Sequence, residues 1–292
     1  MMDEAIAKAK TLQEALGYIR KFHDQLVVVK VGGSIMDEPE NLKRLLTDVV
    51  FMNYVGMRPV IVHGGGKAIN AAMAEKGLSP RTVAGLRYTD EATLAIAEEV
   101  LCNRINRDLV ETIQAQGVEA MGLHSLSSVV LFAERIMARD EEGVEQDVGY
   151  VGRVTGVNAR LLNLLAAADA IPVIATIARD RSGHKLNVNA DTAAGAVAAA
   201  LKAEKLVVVS DTHGIRMDPQ DPATNVSSLT IAQTEELEKK GIISRGMLPK
   251  VEACITAIKG GAKKAHIIDG RIPHALLLEI YTDKGIGTEI VH

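Results

Sequence analysis

The chain has 292 residues, enough for one large α/β domain or two lobes of ordinary size. Apolar residues make up 47% and charged residues 24%, which excludes a disordered chain, and a formal net charge of −4 argues against nucleic acid or an anionic membrane as the main partner. Cys102 and Cys254 have no CxxC or CxxH neighbour and read as buried thiols, the start MMDEAIAKAK has no apolar core of a leader, and no run reaches a membrane span, so a cytoplasmic location is expected.

Over residues 1–23, Ala5, Ala9, Leu12, Leu16, Ile19 and Phe22 recur at spacings of three and four, one face of a helix. Such a helix either covers the core or projects and buries its face against another subunit. QLVVVKVGGS reads as a strand closed by two glycines, followed by a helix over 39–54. RPVIVHGGG repeats the strand-and-glycine design and leads into a helix over 67–76. SPRTVAGLRYTD is a loop or hairpin, and a long helix from about residue 90 ends at Gly117.

Residues 118–157 are less regular, with β-prone runs SSVVLFA and YVGRVTGV. A helix near 158–168, the strand IPVIATIA and the turn DRSGHKLNVNAD follow, then a helix over 191–202 whose small residues imply close packing. Next come the strand KLVVVSD, the loop THGIRMDPQDPATN, a helix capped by Thr230, a helix with Pro249 near its start, and KKAHIIDG as a last central strand. The alternation predicts a three-layer αβα sandwich with a mainly parallel central sheet, in two lobes dividing between residues 180 and 200.

VIVHGGGKAIN is neither of the standard phosphate loops. A Walker A loop requires glycine where Ile61 stands and a hydroxyl where Ala68 stands; the Rossmann spacing from Gly64 finds Gly66 but then Ile69. Lys67 lies past the glycines. Glycines between a strand and a helix still let the backbone approach a ligand, with free N–H groups at the positive end of the helix dipole. KVGGS, with Lys30 at the end of its strand, has the same design. One such loop is a tight turn; two on successive parallel strands would form an oxyanion cradle at the carboxyl edge of the sheet.

Other polar groups remain to be placed. Arg87 in GLRYTD is a forked donor suited to a carboxylate, or a surface arginine. LNVNAD puts Asn187, Asn189 and Asp191 on a strand-to-helix turn, where Asp191 is an N-cap or a functional acid. Lys250, in the first turn of its helix, opposes the dipole, which points to an anion nearby.

VVVKVGGS, VIVHGGGKAIN, GLRYTD, LNVNAD, VVVSDTHGI, GMLPKVEACITAIKGGAKKAHIIDG and GIGTEI occur in this order. Together they resemble the amino acid kinase family, and within it the branch that phosphorylates N-acetyl-L-glutamate, from about residue 5 to the end. The resemblance implies transfer from MgATP to the side-chain carboxylate, a step of arginine biosynthesis, with residues 25–190 binding the acetylamino acid and residues 191–292 the nucleotide. It implies that Lys30 and Lys250 stabilise the transferring phosphoryl group and that Asp191 orients them. Gly33, Gly65 and Gly66 would offer N–H groups, and Arg87 and Asn187, with Asn189 beside them, would hold the substrate. Ser210, Asp211, Gly214 and Met247 would line the nucleotide pocket. Mg²⁺ would be held mainly by phosphates and water, with no protein metal site.

A leading helix of the type ALGYIRKF is similar to that of the arginine-inhibited branch, in which residues 1–24 interlace dimers into a hexamer. The inhibitor site would then fall on Tyr18, Lys205, His266, Glu279 and Gly287, while a PII-type regulator is a partner the sequence leaves open. Two segments depart from the pattern: HSLSS at 124–128 replaces a loop like SGKDG, and SRG at 244–246 replaces a double glycine, which puts nucleotide affinity in question. Alternatives are a kinase for a related acid such as acetylaminoadipate, and a non-catalytic arginine-sensing homologue.

Overall fold

The computed structural model describes residues 2–139, 143–218, 220–243, 246–282 and 285–292. The chain opens with α1 (Met2–Phe22), β1 (Leu26–Val31), the single turn α2 (Gly33–Met36), α3 (Pro39–Tyr54), β2 (Arg58–His63) and α4 (Gly66–Glu75). A small hairpin, β3 (Thr82–Val83) and β4 (Leu86–Arg87), precedes α5 (Glu91–Glu98). The long helix expected to 116 is present but interrupted: a π-helical turn (Glu99–Ile105) separates α5 from α6 (Asn106–Gln114). Then come β5 (Ala120–Leu123), β6 (Leu131–Arg139), β7 (Glu145–Val157), α7 (Ala159–Ala167), β8 (Ile171–Ala175), β9 (Ile177–Arg179), β10 (Lys185–Val188) and α8 (Ala190–Leu201). β11 (Lys205–Ser210), β12 (Ser228–Thr230), α9 (Ile231–Lys239), α10 (Leu248–Lys259), β13 (Lys264–Asp269), α11 (Ala275–Ile280) and β14 (Thr288–Val291) complete the chain.

One sheet has the order β12-β14-β13-β11-β1-β2-β8-β5, parallel throughout except between β13 and β14. The expected three-layer sandwich is borne out. Along β1, Val28 faces a core shared with Ala194 and Val197 of α8, while Val27 and Val29 face one shared with Leu46 and Val49 of α3. Strand periodicity thus decides where the end residues point. Lys30 shares the face of Val28 and is directed at α8; His63 shares the face of Ile61 and is directed at α6.

Three expectations need adjusting. The irregular stretch 118–157 contributes β6 and β7 to a small closed barrel, order β10-β7-β6-β9. IPVIATIA is two strands, because the chain leaves the main sheet after Ala175 and joins the barrel at Ile177. KKAHIIDG is not the last strand of the sheet: β14 pairs antiparallel with it, and β14 is only four residues long, too short to show an alternating pattern.

α1 does not cover the core. Leu12 is 70% exposed and Ile6 46%, and only its last turns pack, through Tyr18 and buried Phe22. Thr230 caps α9 as expected, and Gln233 completes a capping box with it. Among the described residues no helix is long and apolar enough to cross a membrane.

Candidate active site

The two glycine loops lie side by side, because β1 and β2 pair in register with Lys30 opposite Val62 and Val31 opposite His63. A Cβ on Gly33 would sit 3.8 Å from the Gly66 amide nitrogen, so the loops face one another closely. The first amides of a helix have no intrahelical acceptor, which leaves those at the start of α4 directed outward. Gly65 is closely overlaid: a Cβ there would lie 2.6 Å from Cδ1 of Ile105 and 2.7 Å from Cδ2 of Leu101, so both side chains would have to shift to admit it. Lys67 is exposed and pairs with Asp37 at 2.7 Å, joining the ends of the two loops from outside.

Lys30, Asp191 and Lys250 come together from three elements. Lys30 Nζ is 2.8 Å from Asp191 Oδ1, and Lys250 Nζ is 3.6 Å from Oδ2 of the same carboxylate. The close crossing of α8 and α10 makes this reach attainable. A Cβ on Gly195 would fall 2.6 Å from the Ala253 carbonyl oxygen, so only glycine lets the two helices approach one turn below Asp191 and Lys250. Asp191 is not the N-cap of α8. That role belongs to Asn189, whose Oδ1 accepts from the amides of Asp191 at 2.8 Å and Thr192 at 3.1 Å. The cap frees the Asp191 carboxylate for the lysines.

A cavity of about 250 Å³ opens on this cluster, lined by Lys30, Gly33, Gly65, Gly66, Arg87, Asn187, Asn189 and Asp191. Arg87 Nη2 donates to the Gly66 carbonyl at 3.0 Å, and Asn187 Nδ2 to Thr89 Oγ1 at 3.3 Å. The remaining walls include Ile69, Leu101, Val151 and Thr176, none of which the sequence singled out. Thr176 marks the break between β8 and β9, and that break is the signal that would have found it.

A second cavity, about 400 Å³, lies beyond the ends of β11 and β13 and is lined by Asp211, Thr212, His213, Gly214, Met247 and Arg271, with Ile215, Ile242 and Ile243 supplying apolar walls. Ser210 is not on its surface: it is buried, and its hydroxyl donates to Asp211 Oδ1 at 3.3 Å. Arg271 and His213 both hold the buried Asp269 carboxylate, at 2.7 Å and 3.0 Å. Among the described residues, Thr212 Oγ1 is buried without a hydrogen-bond partner, so it can serve a polar ligand atom. Of the SRG segment, 244 and 245 lie outside the described residues. HSLSS lines neither cavity; buried Ser125 donates to Glu98 at 2.7 Å and its carbonyl accepts from Arg179 at 2.6 Å.

Residues 25–269 match the model of the amino acid kinase family. The chain belongs to the amino acid kinase family. An acetylglutamate kinase of Methanothrix thermoacetophila is 47% identical over 97% of this chain and 98% of its own, and that of Symbiobacterium thermophilum 44% identical over 100% of both. The acetylglutamate kinase of Synechococcus elongatus is 45% identical over 98% of this chain and 93% of its own. Among solved structures, an N-acetylglutamate synthase from Neisseria gonorrhoeae superposes with a TM-score of 0.85 at 24% identity over 97% of this chain, which spans 63% of that protein. A carbamate kinase from Giardia lamblia gives 0.68 at 14% identity, over 92% of this chain and 98% of its own. These two show the fold alone.

This member of the amino acid kinase family has a third cavity, about 280 Å³, at the base of α1. Tyr18, Lys205, His266, Glu279 and Gly287 all line it, from five elements or junctions distant in sequence. Burial raises the pKa of Glu279, but the hydrogen bond and charge of His266 and the Ile286 amide outweigh it and hold the carboxyl below the ordinary range. Burial lowers the Lys205 pKa, opposed by the charge of Glu279.

Proposed function

We propose that the chain phosphorylates the side-chain carboxylate of N-acetyl-L-glutamate with ATP, giving N-acetyl-L-glutamyl 5-phosphate and ADP. The observation that carries the reading is the pair of lysines on opposite oxygens of Asp191, with Lys30 and Asp191 lining one cavity together with the two glycine loops. The curated relatives of matching length are supporting company, since each is an acetylglutamate kinase.

The substrate carboxylate, with an ordinary pKa of ~4.3, is already the nucleophile at neutral pH, so no general base is required. One carboxylate oxygen attacks the γ-phosphorus, the bond to the β-phosphate oxygen breaks, and that electron pair leaves with ADP. No proton moves. The demand on the protein is in-line positioning and neutral charge balance on the phosphoryl oxygens. Lys30 and Lys250 supply the cations; Gly33, Gly65 and Gly66 supply amides. Asp191 keeps two like charges at a set separation. Arg87, Asn187 and Asn189 hold the acetylamino-acid end, so residues 25–190 serve as the substrate lobe.

The second cavity fits a nucleotide: apolar walls for a base, and Thr212 and Arg271 as polar partners. Residues 191–292 serve as the nucleotide lobe. Mg²⁺, when bound with the nucleotide, supplies further neutralisation of the phosphates. Lysines and glycine amides are the protein's share of the charge balance.

The third cavity and α1 add regulation to the reading. Acidic Glu279, Glu204 and Glu289 beside Lys205, Lys21 and Lys264 suit a ligand that is cationic at one end and zwitterionic at the other, which arginine is. The uncovered face of α1 suits pairing with α1 of another dimer, giving a hexamer.

Hydroxylamine trapping of the acyl phosphate tests the proposal. Hydroxamate is expected with acetylglutamate in excess over acetylaminoadipate, and none from either would overturn the enzyme reading. Added arginine is expected to lower the yield; insensitivity removes the regulatory site and leaves the catalytic one. Deleting residues 1–20 should halve or further reduce the assembly's mass, and an unchanged hexamer rules out the α1 role.

A further inference from the structure

His63 ends β2, directly before the glycine loop, and it is fully buried. Neither the sequence motifs nor the proposed chemistry assigns it a task. Its Nδ1 lies 3.0 Å from the Gly64 carbonyl oxygen, and its Nε2 lies 3.0 Å from Nδ2 of Asn106. Asn106 Nδ2 also donates to the Val173 carbonyl at 2.9 Å. A carbonyl only accepts, so the Asn106 nitrogen is correctly placed as the donor group, and its second proton goes to His63 Nε2. The ring proton is therefore on Nδ1, where the Gly64 carbonyl takes it. Burial lowers the ring's pKa to about 4, which keeps it neutral and in this single tautomer at physiological pH.

We propose that His63 is a positioning residue: with Asn106 fixing its tautomer, it orients the Gly64–Gly65 peptide so that the Gly65 N–H points at the reacting carboxylate. The inference rests on the reading of Gly65 as a substrate-facing donor. Carbonyl and N–H of one trans peptide are rigidly opposed, so a bond that pins the Gly64 carbonyl on the buried side aims the Gly65 amide toward the cavity. The Gly64 amide is anchored too, donating to Val31 at 3.3 Å across to the neighbouring loop.

The interrupted helix supplies the rest of the clamp. Leu101 and Ile105 of the π-helical turn press on Gly65, and Asn106 follows immediately. At the wider π spacing, residues four and five apart share a face, so all three are presented to the same loop. Asn106 is itself held by its bond to the Val173 carbonyl, and Gly122 leaves it room, since a Cβ there would fall 2.2 Å from its Oδ1. A histidine kept only to fill the core would use its nitrogens indifferently; here Nδ1 serves the loop and Nε2 is held by Asn106 of α6.

The test uses the full-length enzyme. ¹⁵N NMR of the His63 ring should report an Nδ1-protonated neutral tautomer, and an Nε2-protonated ring would overturn the proposal whether or not any variant folds. His63→Leu, which keeps bulk and removes the donor, should lower kcat about 30- to 100-fold with KM for acetylglutamate within about threefold, the pattern of a misaimed transition-state donor. His63→Asn, whose amide reaches the Nδ1 position, should recover most of that loss. Equal kcat for wild type and a folded His63→Leu would overturn the positioning role. Failure of the underlying kinase reading is separate, since it shows as no hydroxamate from the wild type.

Discussion

The Nζ of Lys30 stands 2.8 Å from Oδ1 of Asp191, with the two side chains only 7% and 10% exposed. A charge so shielded is stable only beside its partner. Asp191→Asn leaves Lys30 and Lys250 facing each other without a counter-ion between them. The expected result is a fall in kcat of about 10²–10³ and a loss of about 3 kcal/mol in urea unfolding. Hydroxamate yield and the unfolding midpoint check the two effects separately; unchanged turnover would remove Asp191 from the site.

Arg87 lines the cavity while its Nη2 donates to the Gly66 carbonyl and its Nη1 meets Met73 Sδ at 3.6 Å. Lysine keeps the charge but not the fork, so it cannot hold the loop and a carboxylate together. Arg87→Lys should raise KM for acetylglutamate about tenfold, the worth of one charge-assisted bond, and leave KM for ATP unchanged. Initial rates with each substrate varied decide this. An effect confined to ATP would mean that the cavity has been assigned to the wrong substrate.

Much of this site was legible in the sequence because its groups sit at strand ends, where period and glycine spacing announce them. Lys30, the glycine loops and the turn bearing Asn189 and Asp191 fall into that class. The division of labour on that turn was not legible: Asn and Asp are equally good caps, and only the fold shows Asn189 taking the amides while Asp191 meets the lysines. The π-helical turn was invisible, since its apolar residues satisfy a helical period well enough to read as one α-helix. His63 looked like part of a motif rather than a group with a task, because its partner Asn106 is distant in sequence and reaches it only through the packing of α6. The third cavity depended on elements that do not signal themselves, a six-residue helix and a four-residue strand.

The neutral His63 sets a pH limit on stability. Its ordinary pKa of ~6.5 applies to the unfolded chain, while burial holds the folded value at about 4. Between those values the unfolded chain binds the additional proton, so acid favours unfolding. Stability should fall as pH drops from about 6.5 toward 4, by at most roughly 3 kcal/mol from this group. Urea midpoints measured at pH 7 and pH 5 should show the decline in wild type and a shallower one in His63→Asn. Parallel declines would mean that other groups carry the acid sensitivity.

Gly287 precedes β14, and a Cβ there would fall 2.0 Å from the carbonyl oxygen of Ile267 in the adjacent strand β13. Both atoms belong to backbone, so neither can turn aside, and β14 must lift from the sheet to admit a methyl group. That edge also frames the third cavity, where Gly287 sits beside Glu279 and His266. Gly287→Ala should therefore cost about 3 kcal/mol, at the upper end of overpacking effects, and abolish any response to arginine while the KM for acetylglutamate is retained. Gly77→Ala is the matching control. It has positive φ (+71°) but nothing within 4 Å of the added carbon, so only backbone strain of about 1 kcal/mol is expected. Thermal unfolding of the two variants separates crowding from strain, and an equal loss in both would show that the β13–β14 contact has slack the geometry does not predict.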